Sequence, residues 1–241
     1  MSDIILMGLI AGLGTCLGAL LVIFFGRFHS RTFSLLLGLA AGVMLAVILF
    51  DLLPAALLQG RLSHCLEGAF TGLFFLAGMD FFFTRDGWPG ESRHHYLTLG
   101  YLIALGIAIH DLPEGLAIAA GYAEPLTLGP LLTLAIGLHN IPEGMATAAP
   151  LRAGGMSAGH VLAMNMLVSL VTPLGSALGV ILINLSPLFI SFLLAFAGGA
   201  MSYIVFLKLI PESLRHHRSF TYSGLASGII LMAFLNLLFQ Q

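Results

Sequence analysis

Two stretches of eleven residues, HDLPEGLAIAA at 110–120 and HNIPEGMATAA at 139–149, place a histidine and a glutamate four residues apart in otherwise apolar surroundings. In an α-helix positions i and i+4 share a face, so His110 and Glu114 point one way, as do His139 and Glu143. Asp111 and Asn140 follow the histidines about 100° round and reach the flank of the same face. Pro113 and Pro142 free the carbonyls of Ile109 and Leu138, which predicts a bent or broken helix in each copy. Gly115 and Gly144 let another backbone approach. Imidazoles and carboxylates in this pattern suit protons, water or a divalent cation of borderline hardness such as Zn²⁺, Fe²⁺ or Mn²⁺. Thiolates and thioethers, which would select Cu(I), are missing from the motif.

The elements that hold these residues follow from composition. The chain has 241 residues, 59% hydrophobic and only 8% charged, with a mean hydropathy of +1.03, which excludes a soluble domain. A membrane span needs about 20 residues, and charge, proline and glycine punctuation divide the chain into eight: 4–26, 32–56, 64–84, 97–122, 126–150, 158–183, 187–210 and 220–239. The expected fold is an all-α polytopic membrane protein with a single transmembrane domain over 1–241. The N-terminal stretch has an acidic start and an apolar run too long for a cleaved signal, so it reads as span 1. Cys16 and Cys65 read as small apolar packers.

Basic residues orient the bundle, because cytoplasmic loops collect Lys and Arg. With the N-terminus outside, the inner loops hold Arg27, Arg31, Arg85, Arg93, Arg152, Arg215 and Arg218, and the outer loops hold only Arg61. Both termini are then expected on the outer side. Spans 4 and 5 become antiparallel neighbours joined by an outer turn around Glu124 and Pro125, with both motifs roughly 20 Å deep at about 1.5 Å per residue. There, ionised Asp111, Glu114 and Glu143 would cost roughly 2.5–3.5 kcal/mol each. Neither span carries a Lys or Arg to pair with them.

Internal repeats suggest how the rest is built. At a shift of 157, GLGTCLGAL at 12–20 lies over SLVTPLGSA at 169–177, and AAGVMLAVILFDLLPAA at 40–56 lies over AGGAMSYIVFLKLIPES at 197–213, aligning Pro54 with Pro211. Residues 1–84 and 158–241 thus read as inverted three-helix repeats around a central pair at 97–150, a three plus two plus three plan common among secondary transporters.

The paired HxxPEG motifs on consecutive central spans resemble those of the Zrt- and Irt-like protein (ZIP) family of divalent metal transporters, especially its bacterial, broad-specificity members. The resemblance covers the whole chain, including the proline-ended spans 2 and 7. It implies a transport site of His110, Glu114, His139 and Glu143, with Asp111 and Asn140 in a second, adjoining metal position bridged by the two glutamates. It also implies transport of Zn²⁺, or of Fe²⁺, Mn²⁺, Co²⁺ or Cd²⁺, towards the cytoplasm across the cell (inner) membrane, while the inverted repeats suggest alternating access as the mechanism. The metal is then substrate, with no prosthetic group. Two departures stand out. Thr172 precedes Pro173 where many two-metal relatives carry glutamate, and TRDGWPGESRHHY at 84–96 is shorter than the usual His-rich loop, although His94 and His95 remain.

Other polar residues read by depth. Asp51 is expected at an outer vestibule, away from Lys208 at the inner end of span 7. His64 and Glu67 read as a wetted outer helix end, and Asp80, Glu212, His160, His216 and His217 as inner-end residues. Met44 and Met201 read as packing. An intramembrane zinc hydrolase would want HExxH and a di-iron enzyme ExxH, and both spacings are missing. A proton-conducting protein using His and Glu without metal stays open at this level. The partners expected are divalent metal ions and the lipid bilayer, with no nucleic acid; a homodimer is left open.

Overall fold

The computed structural model describes residues 2–25, 29–84, 93–121, 128–181 and 186–239. Among these residues every regular element is helical: α1 (Ser2–Phe25), α2 (Ser30–Val47), α3 (Leu53–Gln59), α4 (Leu62–Thr84), α5 (Arg93–Gly121), α6 (Leu128–Ala153), α7 (Ala158–Ser169), α8 (Val171–Ile181), α9 (Pro187–Ile204), α10 (Ile210–His216) and α11 (Arg218–Phe239). Taking each interrupted helix as one rod, seven are long and apolar enough to cross a membrane. The other, α6, has 26 residues, but His139, Asn140 and Glu143 fall in its middle and lower its apolar character. The turn around Glu124 and Pro125, and Arg27 and Arg85, lie outside the described residues.

The prolines act differently at different places. Both α5 and α6 continue through Pro113 and Pro142, so the breaks expected there do not occur. Instead π-helical turns at Ile48–Leu52 and Val205–Leu209 interrupt the second and seventh rods just before Pro54 and Pro211. A proline that cannot donate to the preceding turn makes a one-turn widening an accessible local solution. The sixth rod changes at Leu170, shortly before Pro173. The two π-turns start 157 residues apart, as do α2 and α9, and α3 and α10. The repeat read from sequence therefore recurs in the helix boundaries.

Packing sorts the rods into two groups. In the first, α1 lies against α6, α7 and α8, and α5 lies against α6 and α8. In the second, α2 pairs with α11, and α4 and α3 pair with α9. Glycine sets the closeness within each group. A Cβ at Gly144 would collide with the Thr15 carbonyl, one at Gly115 with the Thr172 carbonyl, and one at Gly199 with the Ala69 carbonyl. The groups meet chiefly where α5 touches α9 and α2 touches α6, and there Gly106 faces only the Ile204 side chain. The glycine contacts against backbone thus lie inside the groups, alongside side-chain contacts such as Gly100 on Leu151, while Gly106 at the seam meets a side chain. Met44 and Met201 are buried among apolar side chains, as read from the sequence.

Candidate metal site

The site is assembled from the middles of α5 and α6. Their adjacency brings the two i, i+4 faces together, with the rings of His110 and His139 6.2 Å apart between centroids. Glu114 reaches across the pair: its Oε1 stands 2.6 Å from His139 Nε2 and 3.1 Å from His110 Nε2. The other ring nitrogen of His110, Nδ1, lies 3.7 Å from Asp111 Oδ1 and 4.0 Å from Glu143 Oε1. Two ligand sets result, His110/Glu114/His139 and His110/Asp111/Glu143, in each of which one donor atom per residue lies within 4.8 Å of the others. His110 belongs to both sets, its Nε2 facing Glu114 and its Nδ1 facing Asp111 and Glu143.

Asn140 occupies the position in α6 that Asp111 holds in α5. Its amide donates to the Ala11 carbonyl of α1 at 3.3 Å, which turns the side chain and leaves Oδ1 unbonded. Thr172 is fully buried, its hydroxyl unbonded, in the segment whose carbonyl lies against Gly115 beside Glu114. The sequence departure at Thr172 therefore stands in the neighbourhood of the motif.

Burial makes the arrangement costly. His110, Asp111, Asn140 and Glu143 are fully buried, and Glu114 and His139 are only 7% and 5% exposed. Eight of their polar atoms make no hydrogen bond: both nitrogens of His110, both oxygens of Asp111 and of Glu143, Oε2 of Glu114 and Oδ1 of Asn140. Buried polar groups are otherwise nearly always bonded, and leaving one unbonded costs about 1–3 kcal/mol, more when charged. Convergent imidazoles and carboxylates with free lone pairs match what a borderline dication requires.

The chain matches the family model described as ZIP Zinc transporter over residues 89–236. It is 32% identical to the zinc transporter ZupT of Akkermansia muciniphila over 95% of both chains. It is 33% identical to the zinc transporter GufA of Myxococcus xanthus over 95% of this chain and 96% of that one. The zinc transporter ZIPB of Bordetella bronchiseptica is 33% identical over 92% of this chain and 76% of its own. The chain belongs to the ZIP family. Membership makes it an integral membrane transporter with divalent metal as its cargo, not an enzyme, and sets aside the hydrolase and proton-channel readings.

Other sequence-flagged residues fall elsewhere. Asp51 lies in the first π-turn, accepts from Asn236 Nδ2 at 3.2 Å, and is close enough for its charge to act on His139 and Glu114. Lys208, in the second π-turn, pairs with Asp80 instead, and Tyr203 donates to the same carboxylate. Glu212 gathers His95 at 3.0 Å, His216 at 3.3 Å and Arg215 at 3.5 Å. Ser157 caps α7 by accepting from the His160 N–H at 3.4 Å, and its hydroxyl stands 2.6 Å from His160 Nδ1; His217 packs edge-on to Phe220; His64 is half-buried and Glu67 exposed. Cys16 and Cys65 are buried beside Ser169 and Ser191. Sequence reasoning missed the Asp80–Lys208–Tyr203 cluster, since nothing in one chain's spacing says that α4 and α9 pack face to face.

Proposed function

We propose that the chain carries Zn²⁺, and related divalent transition metals, towards the cytoplasm through a site formed by His110, Asp111, Glu114, His139, Asn140 and Glu143. The observation that carries this reading is the set of unbonded donor atoms at the meeting of α5 and α6. His110, Glu114 and His139 form the first coordination set, and His110, Asp111 and Glu143, with Asn140 Oδ1 nearby, form the adjoining one. The relatives are named zinc transporters, which makes Zn²⁺ the cargo to test first. Eight spans in a three plus two plus three plan, with both termini outside the cell membrane, fit the helix order and the basic loops.

The packing supplies a mechanism for access. The group containing α1, α5, α6, α7 and α8 holds the whole site, and its glycine contacts keep it rigid. Sliding of that group along the seam would expose the site to one face and then the other. Asp51, near the site and on the expected outer side, receives the arriving cation. On the inner side the His95–Glu212 bond joins the two groups and must open for exit. Purified chain in proteoliposomes should take up labelled Zn²⁺, and a Glu143→Ala variant that inserts normally should not. Uptake by that variant at the normal rate would refute the site.

A further inference from the structure

Around the motif, α1, α5, α6 and α8 form a square in which α1 and α5 each pack on both α6 and α8. The two repeats place a matched pair of threonines in it. The 157-residue shift carries Thr15 of α1 to Thr172 of α8, and the 29-residue shift carries Gly115 of α5 to Gly144 of α6. The contacts obey the same exchange: the Thr15 carbonyl lies against Gly144, next to Glu143, and the Thr172 carbonyl against Gly115, next to Glu114. Helical pitch then fixes where each side chain goes. On α1, Gly14 and Gly18 face α6, while Gly8 and Gly12 face α8 and the end of α7; at about 100° per residue Thr15 falls between them. On α8, Gly175 and Gly179 face α5, Pro173 and Ser176 meet Gly8 of α1, and Thr172 again falls between. Both threonines therefore point into the middle of the square.

Asn140 of α6 reaches Ala11 and Gly14 of α1, and Asp111 is its counterpart on α5. All four side chains are fully buried. Five of their oxygens make no hydrogen bond: Oγ1 of Thr15 and of Thr172, Oδ1 of Asn140 and both of Asp111. A buried threonine in a helix has an ordinary outlet in the carbonyl one turn back, which Thr133, Thr147 and Thr221 all use. For Thr15 that carbonyl is Ala11, and it accepts from Asn140 instead. We infer that Thr15 supplies a neutral oxygen ligand to the adjoining metal position, as the α1 counterpart of Thr172. Resting on the transport site proposed above, this role gives the two metal positions different hardness. The first set offers two imidazoles to one carboxylate. The adjoining position, with Thr15, Thr172, Asn140, Asp111 and Glu143, is dominated by oxygen and keeps His110 Nδ1 as its one nitrogen. Imidazole suits Zn²⁺, and oxygen donors suit Mn²⁺. The adjoining position therefore selects the harder ion, and α1 takes part in that choice.

Purified, reduced protein holding one equivalent of Zn²⁺ tests this when titrated with Mn²⁺ and followed by loss of the free-ion electron paramagnetic resonance signal. One Mn²⁺ should bind per chain. Thr15→Val, which removes the hydroxyl at nearly equal volume, should weaken that step about tenfold, the lower end of what a supporting partner of a metal site is worth, and Thr15→Ser should restore it. Without metal, the melting temperature of Thr15→Val should not fall, since the hydroxyl it loses is unbonded. Thr15→Cys should give the Zn²⁺-loaded chain a thiolate-to-Cd²⁺ charge-transfer band with one equivalent of Cd²⁺, a band that the unaltered chain lacks. The assignment is overturned if the unaltered loaded chain takes up no Mn²⁺, if Thr15→Cys gives no such band, or if Thr15→Val melts lower without metal yet binds Mn²⁺ normally. Zn²⁺ binding by the unaltered chain, and its loss in Glu143→Ala, are read on the same preparations, so failure at Thr15 is told apart from failure of the transport site.

Discussion

The motif in α5 and α6 and the cluster around Lys208 both bury charge in the membrane, and they handle it in opposite ways. Asp80 Oδ2 meets the Lys208 ammonium and the Tyr203 hydroxyl, so opposite charge and a donor are supplied by the chain itself. Glu212, with His95, His216 and Arg215, is treated likewise. In the central motif the acids and imidazoles face one another with most donor atoms unbonded, and the only basic side chains on the two helices, Arg93 and Arg152, lie at their far ends. A self-satisfied cluster holds helices together. An unsatisfied one leaves its coordination to a mobile cation, and transport requires a partner that can leave.

The comparison can be broken at several points. The largest effect is expected from Glu114→Ala or Glu143→Ala, each of which removes a ligand. Zn²⁺ affinity should fall by more than the roughly 10–100-fold seen for outer-shell partners, and uptake should nearly vanish while insertion stays normal. Titration calorimetry and vesicle uptake on the same preparations check both halves.

Acid should act next. Metal binding needs neutral imidazole and ionised carboxylate, and imidazole ordinarily protonates near pH 6.5. Lowering the pH therefore places protons in competition with metal at His110 and His139, and affinity should fall from pH 7.5 to 5.5. A flat profile across that window would count against histidine ligation.

Lys208→Met probes the satisfied cluster. It strands the Asp80 carboxylate, which is partly exposed at 13%, so the loss should be about 2 kcal/mol, below the roughly 3–5 kcal/mol of a fully buried pair. Melting temperature should drop while Zn²⁺ affinity at the central site stays unchanged. A large change in affinity would mean that the two regions are not separate.

The smallest expected effect is at Thr172. Its neutral hydroxyl adds no charge, and two dications about 4 Å apart repel with four times the unit-pair energy of about 4 kcal/mol at an effective dielectric of 20. One metal should bind tightly and a second weakly. Thr172→Glu should strengthen the second binding step and slow uptake by deepening the well. Two equally tight metals in the unaltered chain would contradict this.

Much of the molecule was legible in the residues alone. Helix positions follow from apolar run length, the i, i+4 pairing of His110 with Glu114 and of His139 with Glu143 follows from helical pitch, and the 157-residue repeat reappears in the two π-turns. Gly115 and Gly144 were readable as points of close approach because only a missing side chain permits it. Local pattern did not reveal where proline would interrupt a helix. Pro113 and Pro142 sit inside continuous helices, whereas π-turns precede Pro54 and Pro211. Nor did it reveal that His110 serves both ligand sets, that Asn140 is turned towards Ala11, or that Lys208 finds Asp80. Those facts depend on which helix faces which and on rotamers chosen under packing, and such contacts join residues far apart in the chain. Periodicity determines a helix's faces; only the assembled bundle decides what each face meets.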